Sequence, residues 1–219
     1  MVYTQVEDAV VHREWIDSTT VPRAPPTALS DPWQPGAFRD TVTREDFDRV
    51  IVGHDPAGKG RDNFGFVTVG ILTHPRDMFD GAVEMYDDAE NRQTRHILDV
   101  WQAQDVPPSR WREKLTALFD RYTPEKIAIE SNLNQTWAVD DDAIPSRVRT
   151  AITPITTGRG KHSWTDGVPS IGSDIEAGRY RFYSGGENNQ TEALITALTS
   201  LQRKEGELVG HTPDLVMAL

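Results

Sequence analysis

The stretch "RVIVGHDPAGKGRDNFGFVTVGIL", residues 49–72, predicts two strands separated by a glycine-rich acidic loop. β-Branched residues at 50–52 lead to Asp55, and a second apolar run begins at residue 64. These residue types favour strands, and a hairpin across the loop is their simplest pairing. Because side chains alternate along a strand, His54 and Asp55 should point to opposite faces of the sheet.

The loop contains a near match to a phosphate-binding loop, because Gly53, Gly58 and Lys59 have the spacing of GxxxxGK. That motif requires Ser or Thr after the lysine to bind magnesium, whereas Gly60 follows Lys59 here. It also requires a helix directly after the loop, whereas the residues from 64 onward favour a strand. The sequence therefore argues against a nucleotide-binding loop, and Asp55 becomes the informative residue.

Composition limits the classes of site that the chain can build. Its 219 residues suffice for one domain of roughly 150 to 200 residues and a flanking segment. The absence of cysteine excludes disulfides, thiolate zinc sites and cysteine nucleophiles, which leaves oxygen and histidine ligands for a metal. No apolar run approaches the roughly 20 residues of a membrane span, and the N-terminal residues are polar. We expect a soluble intracellular protein without membrane contact.

The net charge of −11 argues at first against a nucleic-acid partner, which requires clustered basic residues. Arginine far outnumbers lysine, however, and aspartate is abundant in segments predicted to lie on the surface. This balance resembles proteins of a high-salt cytoplasm, where excess carboxylates keep proteins soluble. An ordinary acidic protein is the alternative, so global charge does not decide the partner.

Proline content divides the chain into two parts. Residues 1–46 lack sustained periodicity and are rich in proline, which predicts a linker or arm. Residues 47–219 carry the strand and helix patterns of a domain.

The order of predicted elements indicates the fold class. After the hairpin we expect a third strand, an amphipathic helix near 107–122 and a fourth strand ending in Glu130. A short helix, a strand, a helix with a following edge strand near 180–184, a helix over 190–204 and a last helix containing Asp214 complete the chain. This order predicts an α/β fold with a central mixed sheet of five or more strands and helices on both faces.

Three acidic residues occupy positions that such a fold can bring together. Asp55 ends the first strand of the hairpin, Glu130 ends the fourth strand, and Asp214 lies in the first turn of the last helix. Carboxylates are preferred ligands of hard divalent cations, and a set of them can hold two ions for phosphodiester hydrolysis.

Each of these residues also has a structural explanation. Asp55 has the position of a turn or cap residue. Asp214 has the position of an acidic residue that complements a helix dipole. Glu130 is harder to explain in this way, because a carboxylate beside an apolar strand is costly unless a cation or donor compensates it.

Four motifs, in order, resemble the C-terminal nuclease domain of the large terminase subunit of tailed double-stranded DNA viruses. They are "VIVGHDPAGKGRDNFGFVTVG" (50–70), "KIAIESNLNQ" (126–135), "GRGKHSWTDGVPSIGSDIEAGRYRFY" (158–183) and "HTPDLVMAL" (211–219). The resemblance extends over about residues 47–219 and implies an RNase H-like fold.

The resemblance also implies roles for individual residues. Asp55, Glu130 and Asp214 would be catalytic and would ligate two divalent cations, Mg²⁺ or Mn²⁺. Asp62 matches a further acidic position and would be an additional metal ligand. The residues that would contact DNA are Lys59, Arg159 and Lys161.

The implied function is endonucleolytic cleavage of concatemeric double-stranded DNA during viral genome packaging. The implied partners are the terminase ATPase domain, the small terminase subunit and the procapsid portal, in the host-cell cytoplasm. Together with the acidic composition, the resemblance indicates a virus of a halophilic archaeon. Two alternatives share the fold: a cellular RNase H-like nuclease such as a junction resolvase, and a non-catalytic docking module.

Overall fold

The parts of the chain that the structure describes contain both helices and strands. This structure is a computed structural model that describes residues 9–22, 46–56, 63–73, 93–131, 141–156, 167–184, 190–204, 207–209 and 212–219. The helices are α1 (Arg13–Thr19), α2 (Pro108–Tyr122), α3 (Ser146–Arg149), α4 (Val168–Glu176), α5 (Thr191–Thr199) and α6 (Asp214–Ala218). The strands are β1 (Thr20–Pro22), β2 (Arg49–Asp55), β3 (Phe64–Thr73), β4 (Gln93–Ala103), β5 (Lys126–Glu130), β6 (Ile152–Ile155), β7 (Tyr180–Ser184), β8 (Gln202–Lys204) and β9 (Glu207–Val209).

Among the described residues, a mixed sheet has the strand order β1-β7-β4-β3-β2-β5-β6. The predicted hairpin is confirmed, because β2 and β3 pair antiparallel and Asp55 lies opposite Gly65. Strand β4 extends this meander, while β5, β6, β7 and β1 join the sheet through parallel pairings. The connection through α2 allows β5 to return parallel to β2. The predicted α/β class with a mixed sheet of five or more strands is confirmed.

Helix α2 covers one face of the sheet, and its sequence explains where it starts and which side is buried. Pro108 is the first helical residue, where the missing N–H of proline costs no hydrogen bond. The buried stripe recurs at helical spacing and consists of Trp111, Leu115, Leu118 and Tyr122. These side chains pack in one core with Phe66 of β3 and Ile127 of β5.

Helices α1, α4, α5 and α6 contribute to a second core, on the opposite face. The members of this core include Ile16, Ile175, Ile195 and Leu215, one from each of these helices. The predicted coverage of both faces is therefore confirmed. No helix of the described residues is long and apolar enough to cross a membrane.

Two predicted elements differ from the structure. The helix predicted over 190–204 is too long, because α5 ends at Thr199 and residues 202–204 pair with β9 as β8. The strand predicted at an edge, β7, is internal, because β1 pairs along its outer side. Both differences arise from pairings that local periodicity does not encode.

Residues 9–22, which belong to the predicted 1–46 arm, pack into the domain. Ile16 of α1 is fully buried, and Val10 and Val11 join the same core. Strand β1 adds to the sheet by parallel pairing with β7. Residues 1–8 and 23–45 lie outside the described residues, so the boundary at residue 46 stays a prediction.

Helix α6 lies directly on β2 and β3 at positions where these strands carry glycine. A β-carbon on Gly53 would overlap the carbonyl oxygen of Ala218. One on Gly65 would lie 3.1 Å from the carbonyl oxygen of Asp214. A larger residue at position 53 would therefore push α6 away from the sheet.

We expect Gly53→Ala to lower the free energy of unfolding by about 3 kcal/mol or more, because the added methyl group meets backbone atoms. Urea unfolding measures the change. Gly178→Ala is the matched control, because this glycine has open space around it and a φ of +69°. Alanine at position 178 should lower the free energy of unfolding by only about 1–2 kcal/mol, which is the cost of the left-handed backbone conformation for a residue with a β-carbon. A Gly53→Ala protein as stable as the wild type would contradict the close packing of α6.

Candidate active site

Asp55 and Glu130 lie at the same end of the sheet, on neighbouring strands. Strand β5 runs parallel to β2 with Ile129 opposite His54, which makes Asp55 and Glu130 the next residues along each strand. Gly53 and Glu130 both line a groove beside α6. Because side chains alternate along β2, Asp55 shares the face of Gly53 and therefore of Glu130. The Asp55 side chain is nearly buried, with 7% of the residue exposed.

Asp214 reaches the same edge from α6. Its Oδ2 accepts a hydrogen bond from the backbone N–H of Asn63, at 3.0 Å, just before β3 begins. Its backbone lies against Gly65, the residue opposite Asp55. The fold thus brings all three predicted acidic residues to one edge of the sheet. Asp214 is also the first residue of α6, so its effect on the helix dipole remains a further explanation.

The chemistry of this edge suits a hard divalent cation. Carboxylate oxygens are the preferred donors of Mg²⁺ and Mn²⁺. Carboxylates gathered where water is partly excluded repel each other unless a cation or N–H donors compensate them. Within the described ranges, however, no group of three or more His, Asp or Glu side chains is close enough together to hold a metal ion. The topology therefore brings the carboxylates to the same end of the sheet, but the described residues do not form a complete metal site. The two-ion centre stays a prediction.

Four predicted site residues lie outside the described residues. They are Lys59 and Asp62, which follow β2 in the sequence, and Arg159 and Lys161, which come between β6 and α4 in the sequence. Their roles in binding metal and DNA therefore stay predictions.

His54 was not among the predicted site residues, yet it supports this edge from the opposite face. The indole N–H of Trp111 donates to His54 Nε2 at 2.7 Å, and His54 Nδ1 lies 2.8 Å from the carbonyl oxygen of Gly65. The imidazole also stacks on Phe66, with ring centroids 3.9 Å apart and planes 5° from parallel. Contact with Trp111 of α2 confirms that the His54 side chain lies on the face opposite Asp55.

The partners of His54 determine its tautomer. An indole N–H can only donate, so Nε2 must accept, and a carbonyl oxygen can only accept, so Nδ1 must carry the proton. Burial lowers the pKa of His54 from 6.5 to about 3, although the hydrogen bond to Gly65 acts in the other direction. The ring is therefore neutral near pH 7. Strand alternation predicts its face, but no sequence signal identifies Trp111 as its partner.

A groove of about 310 Å³ extends from Glu130 across the sheet beside α6. Its floor includes the apolar residues Ile51, Val69 and Ala128, and Arg95 also lines it. The Arg95 guanidinium is already paired with Asp174 at 3.0 Å. The groove therefore presents mainly apolar surface next to the acidic edge.

Comparison with known proteins identifies the fold. No protein-family model matches the chain, and no curated protein matches it in sequence. The chain is similar to the large terminase nuclease from thermophilic phage G20c, with 17% identity, a TM-score of 0.52 and coverage of 96% of this chain and 95% of that one. It is also similar to a mutant nuclease domain of the large terminase subunit of bacterial virus Sf6 with manganese and beta-thujaplicinol, with 13% identity, a TM-score of 0.53 and 96% of each chain covered. The chain therefore has the RNase H-like fold of these domains.

Proposed function

We propose that this chain is the metal-dependent endonuclease domain of a viral large terminase subunit, which cuts concatemeric double-stranded DNA during genome packaging. The observation that carries the proposal is the convergence of Asp55, Glu130 and Asp214 on one edge of an RNase H-like sheet. The order of these residues along the chain matches the terminase motifs. The likeness to two phage terminase nucleases supports this choice among proteins of the same fold.

In this proposal Asp55, Glu130 and Asp214 hold two divalent cations, Mg²⁺ or Mn²⁺, with Asp62 as a further ligand. When bound, such ions supply the Lewis acidity that activates water and stabilises the leaving oxygen in phosphodiester hydrolysis. The manganese in the Sf6 nuclease structure supports this choice of ion.

The described residues contribute orientation and charge to this site. The Asn63 N–H donates to Asp214 Oδ2 and so orients this carboxylate at the start of α6. Glu130 is half-buried and lines the open groove, so it lies where a ligand from solvent can reach it. Asp55 is nearly buried at the end of β2, where its backbone pairs with Gly65 of β3.

The DNA-binding role is assigned to residues that follow β2 and β6 in the sequence. We propose that Lys59, Arg159 and Lys161 contact the phosphate backbone. A chain with a net charge of −11 needs further basic surface to hold DNA, and the terminase ATPase domain, small subunit and portal would supply it. The proposed location is the host-cell cytoplasm and, transiently, the procapsid portal. The acidic composition supports a virus of a halophilic archaeon as the source.

A non-catalytic docking module is the second candidate. It is favoured by one observation, the lack of a metal-holding group of three acidic side chains among the described residues. A docking module would neither bind Mn²⁺ nor cut DNA, so the same experiment separates the two candidates.

The full chain should convert supercoiled plasmid to nicked and linear forms with Mn²⁺ or Mg²⁺ and not with EDTA. Glu130→Ala should lower the rate of plasmid cleavage at least about 100-fold, because it removes a proposed metal ligand. Glu125→Ala is the matched control, because this carboxylate pairs with Arg49 before the start of β5, and it should cut at the wild-type rate. Gel electrophoresis of the products over time gives these rates.

Two results would decide against the proposal. Full plasmid cleavage by an Asp55→Ala protein would exclude the acidic edge as the source of activity. Faster cleavage of a four-way junction than of linear duplex would favour a junction resolvase with the same fold.

A further inference from the structure

Gly65 is the residue at which contacts from the two faces of the sheet meet. Its carbonyl oxygen accepts a hydrogen bond from His54 Nδ1–H at 2.8 Å, on the α2 side. On the α6 side, the Asp214 carbonyl oxygen lies only 3.1 Å from the place where a β-carbon of Gly65 would be. Gly65 is also the antiparallel partner of Asp55. Gly65 therefore lies between the backbones of Asp55 and Asp214.

His54 is well suited to hold Gly65 in place. Trp111, which is 0% exposed, fixes the Nε2 side of the ring by a 2.7 Å hydrogen bond, and Phe66 fixes its plane by stacking. His54 itself is 2% exposed, so water does not compete for the Gly65 carbonyl. A hydrogen bond in such surroundings is costly to break, because its donor and acceptor would stay buried and unsatisfied.

We propose that His54 is a positioning residue of the candidate active site: its Nδ1–H holds the Gly65 carbonyl and so sets the separation of Asp55 from Asp214. This role rests on the proposed nuclease function, because that separation determines how well the two carboxylates share a cation. His54 contacts neither substrate nor metal, since its side chain lies on the face opposite Asp55. It acts through the sheet backbone.

Two substitutions test the two hydrogen bonds of the His54 ring individually, because each keeps one bond and removes the other. In His54→Asn the side-chain amide N–H occupies the place of Nδ1–H and can still donate to Gly65, but nothing accepts from Trp111. In His54→Gln the amide oxygen reaches the place of Nε2 and can still accept from Trp111, but the bond to Gly65 is lost. Both substitutions remove the stacked imidazole, so both should destabilise the protein.

Mn²⁺ affinity of the full chain, measured by titration with electron paramagnetic resonance, tests the proposal. We expect His54→Gln to weaken Mn²⁺ binding about tenfold or more, while His54→Asn stays within about threefold of the wild type. Leu115→Ala is the control for stability, because this fully buried side chain of α2 lies in the same core. It should lower the urea midpoint and leave Mn²⁺ affinity unchanged.

A second readout needs no metal. The Asn63 amide resonance reports its hydrogen bond to Asp214 Oδ2 in the metal-free protein. We expect this resonance to shift in His54→Gln and to stay near its wild-type position in His54→Asn. Loss of Asp214 positioning would thus be visible without ions or DNA.

The outcomes distinguish the positioning role from the nuclease function. Equal Mn²⁺ affinities and equal Asn63 shifts in the Asn and Gln variants would overturn the positioning role while leaving the nuclease proposal intact. A wild-type chain that binds no Mn²⁺ would overturn the nuclease function. In that case an Asn63 shift that occurs only in His54→Gln would still support the effect of His54 on Asp214. If His54→Gln caused no Asn63 shift, this effect would be overturned as well.

Discussion

The close approach of α6 to β2 and β3 is the contact on which the candidate site depends. Gly53 and Gly65 present no side chain there, so the helix backbone rests on the strand backbone. Because α6 begins at Asp214, this packing delivers a carboxylate to the strand end that already carries Asp55. The parallel return of β5 then places Glu130 beside it. A substitution that moves α6 away from the sheet would therefore change the geometry of the candidate site more than that of the rest of the sheet.

Ion pairs are frequent at the opposite end of the sheet, where α2 and α3 end and β5 and β6 begin. Several exposed arginines near α2 and α3 already pair with carboxylates, as in the contacts of Arg147 with Asp120 and of Arg149 with Asp142. Exposed pairs of this kind contribute little stability, about 0–1 kcal/mol each, but they neutralise the cations that would otherwise attract phosphate.

The sequence predicted the elements whose signals are local. Strand-forming residue types predicted the hairpin, side-chain alternation predicted the face of His54, and helical periodicity predicted α2 and its buried side. The convergence of Asp55 and Glu130 also followed, because parallel neighbours end at the same edge.

Long-range contacts account for what sequence reasoning missed. Strand β1 pairs Thr20 with Phe182, and no local pattern encodes a contact between residues so far apart in the chain. The early end of α5 depends likewise on the pairing of β8 with β9. The bond between His54 and Trp111 joins two elements whose individual patterns reveal only that both are buried.

A crystal structure of the full chain soaked in Mn²⁺, with anomalous scattering recorded at the manganese absorption edge, tests the central claim most directly. We predict two peaks between the carboxylates of Asp55, Glu130 and Asp214, roughly 3.5–4 Å apart. An absence of peaks at this edge, or peaks only at other carboxylates, would contradict the claim that the fold builds a two-ion nuclease centre here.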